Sequence, residues 1–72
     1  MNVTYSRHAR IRMRERNVTT DDVESVMAGR GAAHPSSRKR TQTGRMLSGR
    51  TIRVVYTETK AEEFHVVSVV IP

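Results

Sequence analysis

The chain has 72 residues, no cysteine, thirteen Lys and Arg against seven Asp and Glu, and a net charge of +6. Its length argues against a second domain, so residues 1–72 are read as one domain, and a chain this short buries only roughly 60% of the surface that its unfolded form exposes. The missing cysteine excludes a disulfide framework and a Cys-ligated metal, no apolar run reaches the length of a membrane span, and the basic surplus points to a polyanionic partner, nucleic acid or acidic protein.

Residues 1–15 are polar and basic and lack an apolar h-region, so no secretory signal is expected and the cytoplasm is the expected compartment. Asn2 to Tyr5 reads as a short lead-in. Ser6 is an N-cap candidate, and a helical pattern follows to about Arg16, where Asn17 breaks it. Thr19 caps a second helix with Asp22 in the capping-box position. Val23, Val26 and Met27 give that helix its apolar stripe, and Gly29 stops it. Helices are therefore expected over about 6–28. Arg30 to Ser37 has turn character.

Strands are expected over about 38–71. "RKRTQTGRMLSG" reads as an edge strand interrupted by Gly44 and Gly49. "RTIRVVYTE" is rich in β-branched residues and reads as a strand, "TKAE" as a turn, and "EFHVVSVVIP" as a last strand. Simple alternation puts Phe64, Val66 and Val70 on one face of that strand and Val67, Val69 and Ile71 on the other. Apolar residues on both faces predict a central strand covered on each side. Two helices followed by a run of strands is an α+β pattern: two N-terminal helices packed on a three- to four-stranded antiparallel sheet.

The first helix, "RHARIRMRER", divides by angle. At 100° per residue Tyr5, Ala9 and Met13 share a core-facing arc. Arg7, Arg10 and Arg14 point to solvent, with Ile11 isolated among them. Arg12 and Arg16 lie beside the core arc and His8 flanks it one turn earlier. Arginines at such a border either pack their stems and reach the rim, pair with an acid of the second helix or the sheet, or clamp a phosphate. His8 either bonds to backbone or serves as a general base.

The stretch "SRHARIRMRERNVTTDDVESVM" resembles a bacterial family of unknown function with the signature S-x-H-A-x-x-R-M-x-x-R. The matching residues are Ser6, His8, Ala9, Arg12, Met13 and Arg16, followed by Val18, Thr19, Val23 and Val26. The strand region "GRMLSGRTIRVVYTE…FHVVSVVIP" is similar to that of BrnT-like toxins, which pair with BrnA-type antitoxins. Both resemble the barnase–EndoU–colicin–RelE group of small metal-independent ribonucleases. The resemblance implies a RelE/BrnT-like fold and an endoribonuclease toxin that cleaves RNA through its 2′-OH, with an acidic antitoxin protein as partner. It selects His8, Arg12 and Arg16 as catalytic residues, the same three that helical angle sets apart.

The sheet is expected to complete the catalytic set with Arg53 and Ser68, and to bind RNA through Arg45, Arg50, Lys39 and Arg40. Tyr56 alternates with Ile52 and Val54 and is expected in the core, with Arg53 on the opposite face. His65 is either a second acid or base or a strand-surface residue, and is read as the latter; His34, beside Pro35, has no evident partner. No acidic pair or histidine cluster has metal-ligand spacing, so neither metal nor cofactor is expected. Two alternatives stand beside the ribonuclease: a non-catalytic nucleic-acid-binding module, and a protein-interaction module whose arginines meet an acidic surface. The sequence leaves oligomeric state open.

Overall fold

A computed structural model of the chain describes residues 1–29 and 35–72. Arg30 and His34 lie outside the described residues. The elements run β1 (Asn2–Tyr5), α1 (Arg7–Arg16), α2 (Thr20–Ala28), β2 (Ser36–Arg45), β3 (Thr51–Lys60) and β4 (Glu63–Val70). Four strands form one sheet in the order β1-β4-β3-β2.

The sheet is mixed, not antiparallel. β2, β3 and β4 form an antiparallel meander, but β1 pairs with β4 in parallel, with Val3 opposite Phe64 and Tyr5 opposite Val66. The supposed lead-in is thus an edge strand. Four residues are too few to show a period-2 pattern, and the partner strand lies at the other end of the chain.

α1 starts and stops on local signals. The Ser6 hydroxyl accepts the Ala9 N–H at 3.0 Å, as an N-cap does. Asn17 is left-handed (φ 56°), Val18 N–H reaches the Met13 carbonyl at 2.8 Å, and Asn17 N–H reaches that of Arg14. This is a Schellman motif, and its Val18 and Met13 are both buried in the core cluster. α2 opens with the expected capping box: Thr19 N–H donates to Asp22 Oδ2 at 2.9 Å, and Asp22 N–H to Thr19 Oγ1 at 3.1 Å.

The core lies between the helices and one sheet face. Ala9 and Met13 of α1 and Val23, Val26 and Met27 of α2 meet Ile52, Val54 and Tyr56 of β3 and Phe64, Val66 and Val69 of β4. The Tyr56 and Phe64 rings meet edge to face, 5.6 Å between centroids. Tyr56 is buried and Arg53 exposed, as alternation on β3 requires. Gly44 continues β2 instead of interrupting it. A Cβ there would come within 3.1 Å of Val26 Cγ1, so glycine lets α2 settle onto the strand. Gly49, with φ at 95°, takes the β2–β3 turn.

β4 departs from simple alternation. Val55 faces Ser68 while the next residue, Tyr56, faces Val66, so Val67 is an inserted bulge residue. Beyond it the inward phase changes: Phe64 and Val66 are buried before the bulge, and Val69 after it. Val70 therefore turns outward and is 40% exposed, contrary to its expected grouping with Phe64 and Val66. His65, Ser68 and Val70 pair with Thr57, Val55 and Arg53 respectively, all on the face away from the buried core. The expected cover on both sides is also absent among the described residues, because the helices pack on one face only.

Candidate nucleic-acid interface

α1 is fixed to the bulge of β4 by one residue. Ser6 N–H donates to the Val66 carbonyl at 2.9 Å, and its hydroxyl donates to the Val67 carbonyl at 2.8 Å while accepting from Ala9. Ala9, fully buried, lets the helix lie close to the strand. Ser6 and Ala9 thus have structural work within the S-x-H-A stretch. His8 is exposed in the first turn of the helix.

From that anchor α1 runs beside the end of β4. Arg12 and Arg16 line a groove of about 110 Å³ with Val69, Val70 and Ile71. The Arg12 side chain is 43% exposed, and its guanidinium stands 4.0 Å from the Glu15 carboxylate on the same helix. The pair is a surface one, worth at most about 1 kcal/mol, so it leaves Arg12 available to a stronger anion. Its acid lies on α1 itself, not on the second helix or the sheet.

Val70 joins this groove to the open face. It lines the groove with Arg12 and Arg16 and pairs across the strands with Arg53. Thr43 lies on the far side of Arg53, and Arg45 pairs with Thr51 one row further along. Ser68 sits beside Val55 on the same face. Arg53, Arg45 and Ser68 thus share the open face of the sheet, and Arg12 and Arg16 adjoin it at Val70.

The other basic candidates are placed differently. Arg50 donates from Nη2 to the Arg16 carbonyl at 3.0 Å, which satisfies an orphan carbonyl at the C-terminus of α1. Arg40 pairs with the inward-facing Tyr56, so it belongs to the opposite side of β2 from Arg53. Lys39 is exposed on the same edge strand.

Asp22 and Tyr5 are shifted from their usual pKa ranges. The Asp22 carboxyl is held below the usual range, first by the Thr19 N–H, with the Thr19 hydroxyl, the Leu47 N–H and the charge of Arg50 adding to it, against burial. Burial pushes the Tyr5 phenol up, and the nearby Glu24 and Asp21 carboxylates add to the shift. The Tyr5 hydroxyl has no hydrogen-bond partner among the described residues.

His65, read from the sequence as a strand-surface residue rather than a second acid or base, is exposed on β4. Its Nδ1 lies 2.9 Å from the Thr4 hydroxyl, and the two residues are register partners of β4 and β1. Only knowledge of β1 could have shown this partner.

Residues 5–71 match a family described as a domain of unknown function, DUF4258. The chain belongs to that family. No curated protein and no solved structure matches it. The match to DUF4258 covers α1, α2, β2 and β3 whole and ends beyond β4, so it takes in the groove and the open face alike. Among the described residues of this DUF4258 chain no three His, Asp or Glu stand together as metal ligands. No helix among them is long and apolar enough to cross a membrane.

Proposed function

We propose that this chain is a metal-independent endoribonuclease of RelE/BrnT-like type, the toxin of a toxin–antitoxin pair. The observation that carries the reading is the meeting of Arg12, Arg16 and Arg53 around Val70, on a protein of net charge +6. Arginines from a helix and a strand, lining an open groove and pairing with one of its residues, suit a phosphodiester. The two N-terminal helices on one face of a four-stranded sheet support the likeness to the RelE group.

RNA carries its own nucleophile, so the protein must orient the 2′-OH, move protons and stabilise the phosphorane. His8, on the first turn of α1, accepts the 2′-OH proton. Arg12, Arg16 and Arg53 bind the scissile phosphate more tightly as charge develops on it, and the Ser68 hydroxyl donates to the same oxygens. Arg45, with Lys39, holds flanking phosphates; Arg40, on the other side of β2, does not share in this. The 2′-O–P bond forms, the P–O5′ bond breaks, and the products end in a 2′,3′-cyclic phosphate and a 5′-OH. An acidic antitoxin covering the basic surface blocks the site.

Purified protein incubated with RNA, with and without EDTA, tests this reading. Cleavage to 2′,3′-cyclic phosphate ends, unaffected by EDTA and reduced at least ~100-fold in Arg12→Ala or His8→Ala, is expected. Growth arrest on expression should be lost in the same variants. Salt-dependent RNA binding without cleavage would replace the reading with a binding module. Absence of binding at low salt would point to a protein-interaction domain.

A further inference from the structure

His65 sits on the open sheet face, on the opposite side of the bulge from Ser68. It lines a groove of about 240 Å³ with Asn2, Thr4, Thr59 and Glu63. Its Nδ1 is 2.9 Å from Thr4 Oγ1, which is also 3.4 Å from the Phe64 carbonyl oxygen. A threonine hydroxyl has one proton. If that proton went to the imidazole, the hydroxyl would face the carbonyl with no hydrogen between two oxygens. Both contacts are satisfied in one arrangement only: Nδ1–H donates to Thr4, and Thr4 donates to Phe64. In that arrangement Nδ1 is engaged with Thr4, and Nε2 is the ring atom left to meet a substrate.

His8 and His65 each stand one or two residues along the chain from the contacts that tie α1 to the bulge. Two residues before His8, Ser6 bonds the Val66 and Val67 carbonyls, and His65 directly precedes Val66 on the strand. Ser68 and the Arg53–Val70 row follow the bulge on the open face. The Ser68–Val55 pair lies between the Val70–Arg53 and His65–Thr57 pairs, so a phosphodiester over Ser68 has arginine on one side along the strands and His65 on the other.

We propose that His65 is the general acid of the cleavage, with Thr4 as its positioning residue; the assignment rests on the ribonuclease reading above. His8 takes the proton of the 2′-OH as the 2′-O–P bond forms. His65, as imidazolium, gives its Nε2 proton to the 5′-oxygen as the P–O5′ bond breaks. Each turnover leaves His8 protonated and His65 neutral, and proton exchange with water restores both.

A substrate with sulfur in place of the bridging 5′-oxygen provides the test, because a thiolate leaves without a proton. His65→Gln should slow cleavage of ordinary RNA ~100-fold or more, with RNA affinity unchanged, and should cleave the 5′-thio substrate at the wild-type rate. His8→Ala should be slow on both substrates. Thr4→Val should reproduce the defect of His65→Gln, and Thr4→Ser should restore activity. Wild-type cleavage of ordinary RNA by His65→Gln would overturn the role of His65 and leave the ribonuclease standing. An equal defect of His65→Gln on both substrates would overturn the acid role. A wild-type protein that cuts neither substrate would overturn the ribonuclease itself, and this assignment with it.

Discussion

Asp22 holds two distant parts of the chain together with one carboxylate. Oδ2 accepts the Thr19 N–H at 2.9 Å, and Oδ1 accepts the Leu47 N–H at 3.1 Å, while the residue is 5% exposed. An amide cannot replace it, since asparagine would aim its NH₂ at one of two backbone donors. Asp22→Asn should cost about 1–3 kcal/mol, read as a lower urea midpoint with an unchanged slope. The pH dependence has a definite sign. The folded pKa lies below the unfolded one, so the stabilisation is complete above about pH 4, the unfolded carboxylate range, and is lost as pH falls through the folded value. The stability difference between wild type and Asp22→Asn should therefore be flat from neutral pH to about 5 and shrink in more acid solution. A constant difference down to pH 2 would remove the carboxylate from this role. The capping half of Asp22 was legible from the spacing Thr-x-x-Asp. Its bond to Leu47 was not, because nothing local links residues 25 positions apart.

Elements stabilised by their own neighbours in sequence were the legible ones. Ser6, Asn17, Thr19 and Gly29 mark the helix ends because capping uses residues within one turn. β1 failed to show because its hydrogen bonds go to β4. The bulge failed to show because nearly every residue from Val66 to Ile71 is apolar, so an inserted residue left no break in the pattern. Both misses bear on the site: the four-residue spacing of His8, Arg12 and Arg16 could be read, but His65 could not be valued without β1. The bulge and α1 are one unit through Ser6. Ser6→Ala removes the N-cap and leaves the Val67 carbonyl without its hydroxyl donor, and should cost about 1–2 kcal/mol. Ser6→Thr keeps the hydroxyl and should recover most of that loss. Chemical denaturation of the three proteins decides it, and equal stability of Ser6→Ala and wild type would show that α1 is held by Ala9 and Met13 alone.

At the scale of the whole molecule, two helices of ten and nine residues cover one face of a four-stranded sheet, and the basic side chains are unevenly placed around it. Arg12 and Arg16 edge the open face near Arg53, whereas Arg7, Arg10 and Arg14 line a separate groove with Ile11. Net charge alone would attract a polyanion to either side. Contact on the open face predicts a difference that binding measurements can read. Each phosphate neutralised by a side chain adds roughly 0.7 to the slope of log affinity against log salt for a single strand. Replacing Arg12 and Arg53 together by alanine should lower that slope by about 1.4. Replacing Arg10 and Arg14 should leave it unchanged, although the net charge falls by the same amount in both variants. Equal slopes for the two double variants would mean that RNA senses only total charge, and the Arg12–Val70–Arg53 border would lose its claim to the phosphate.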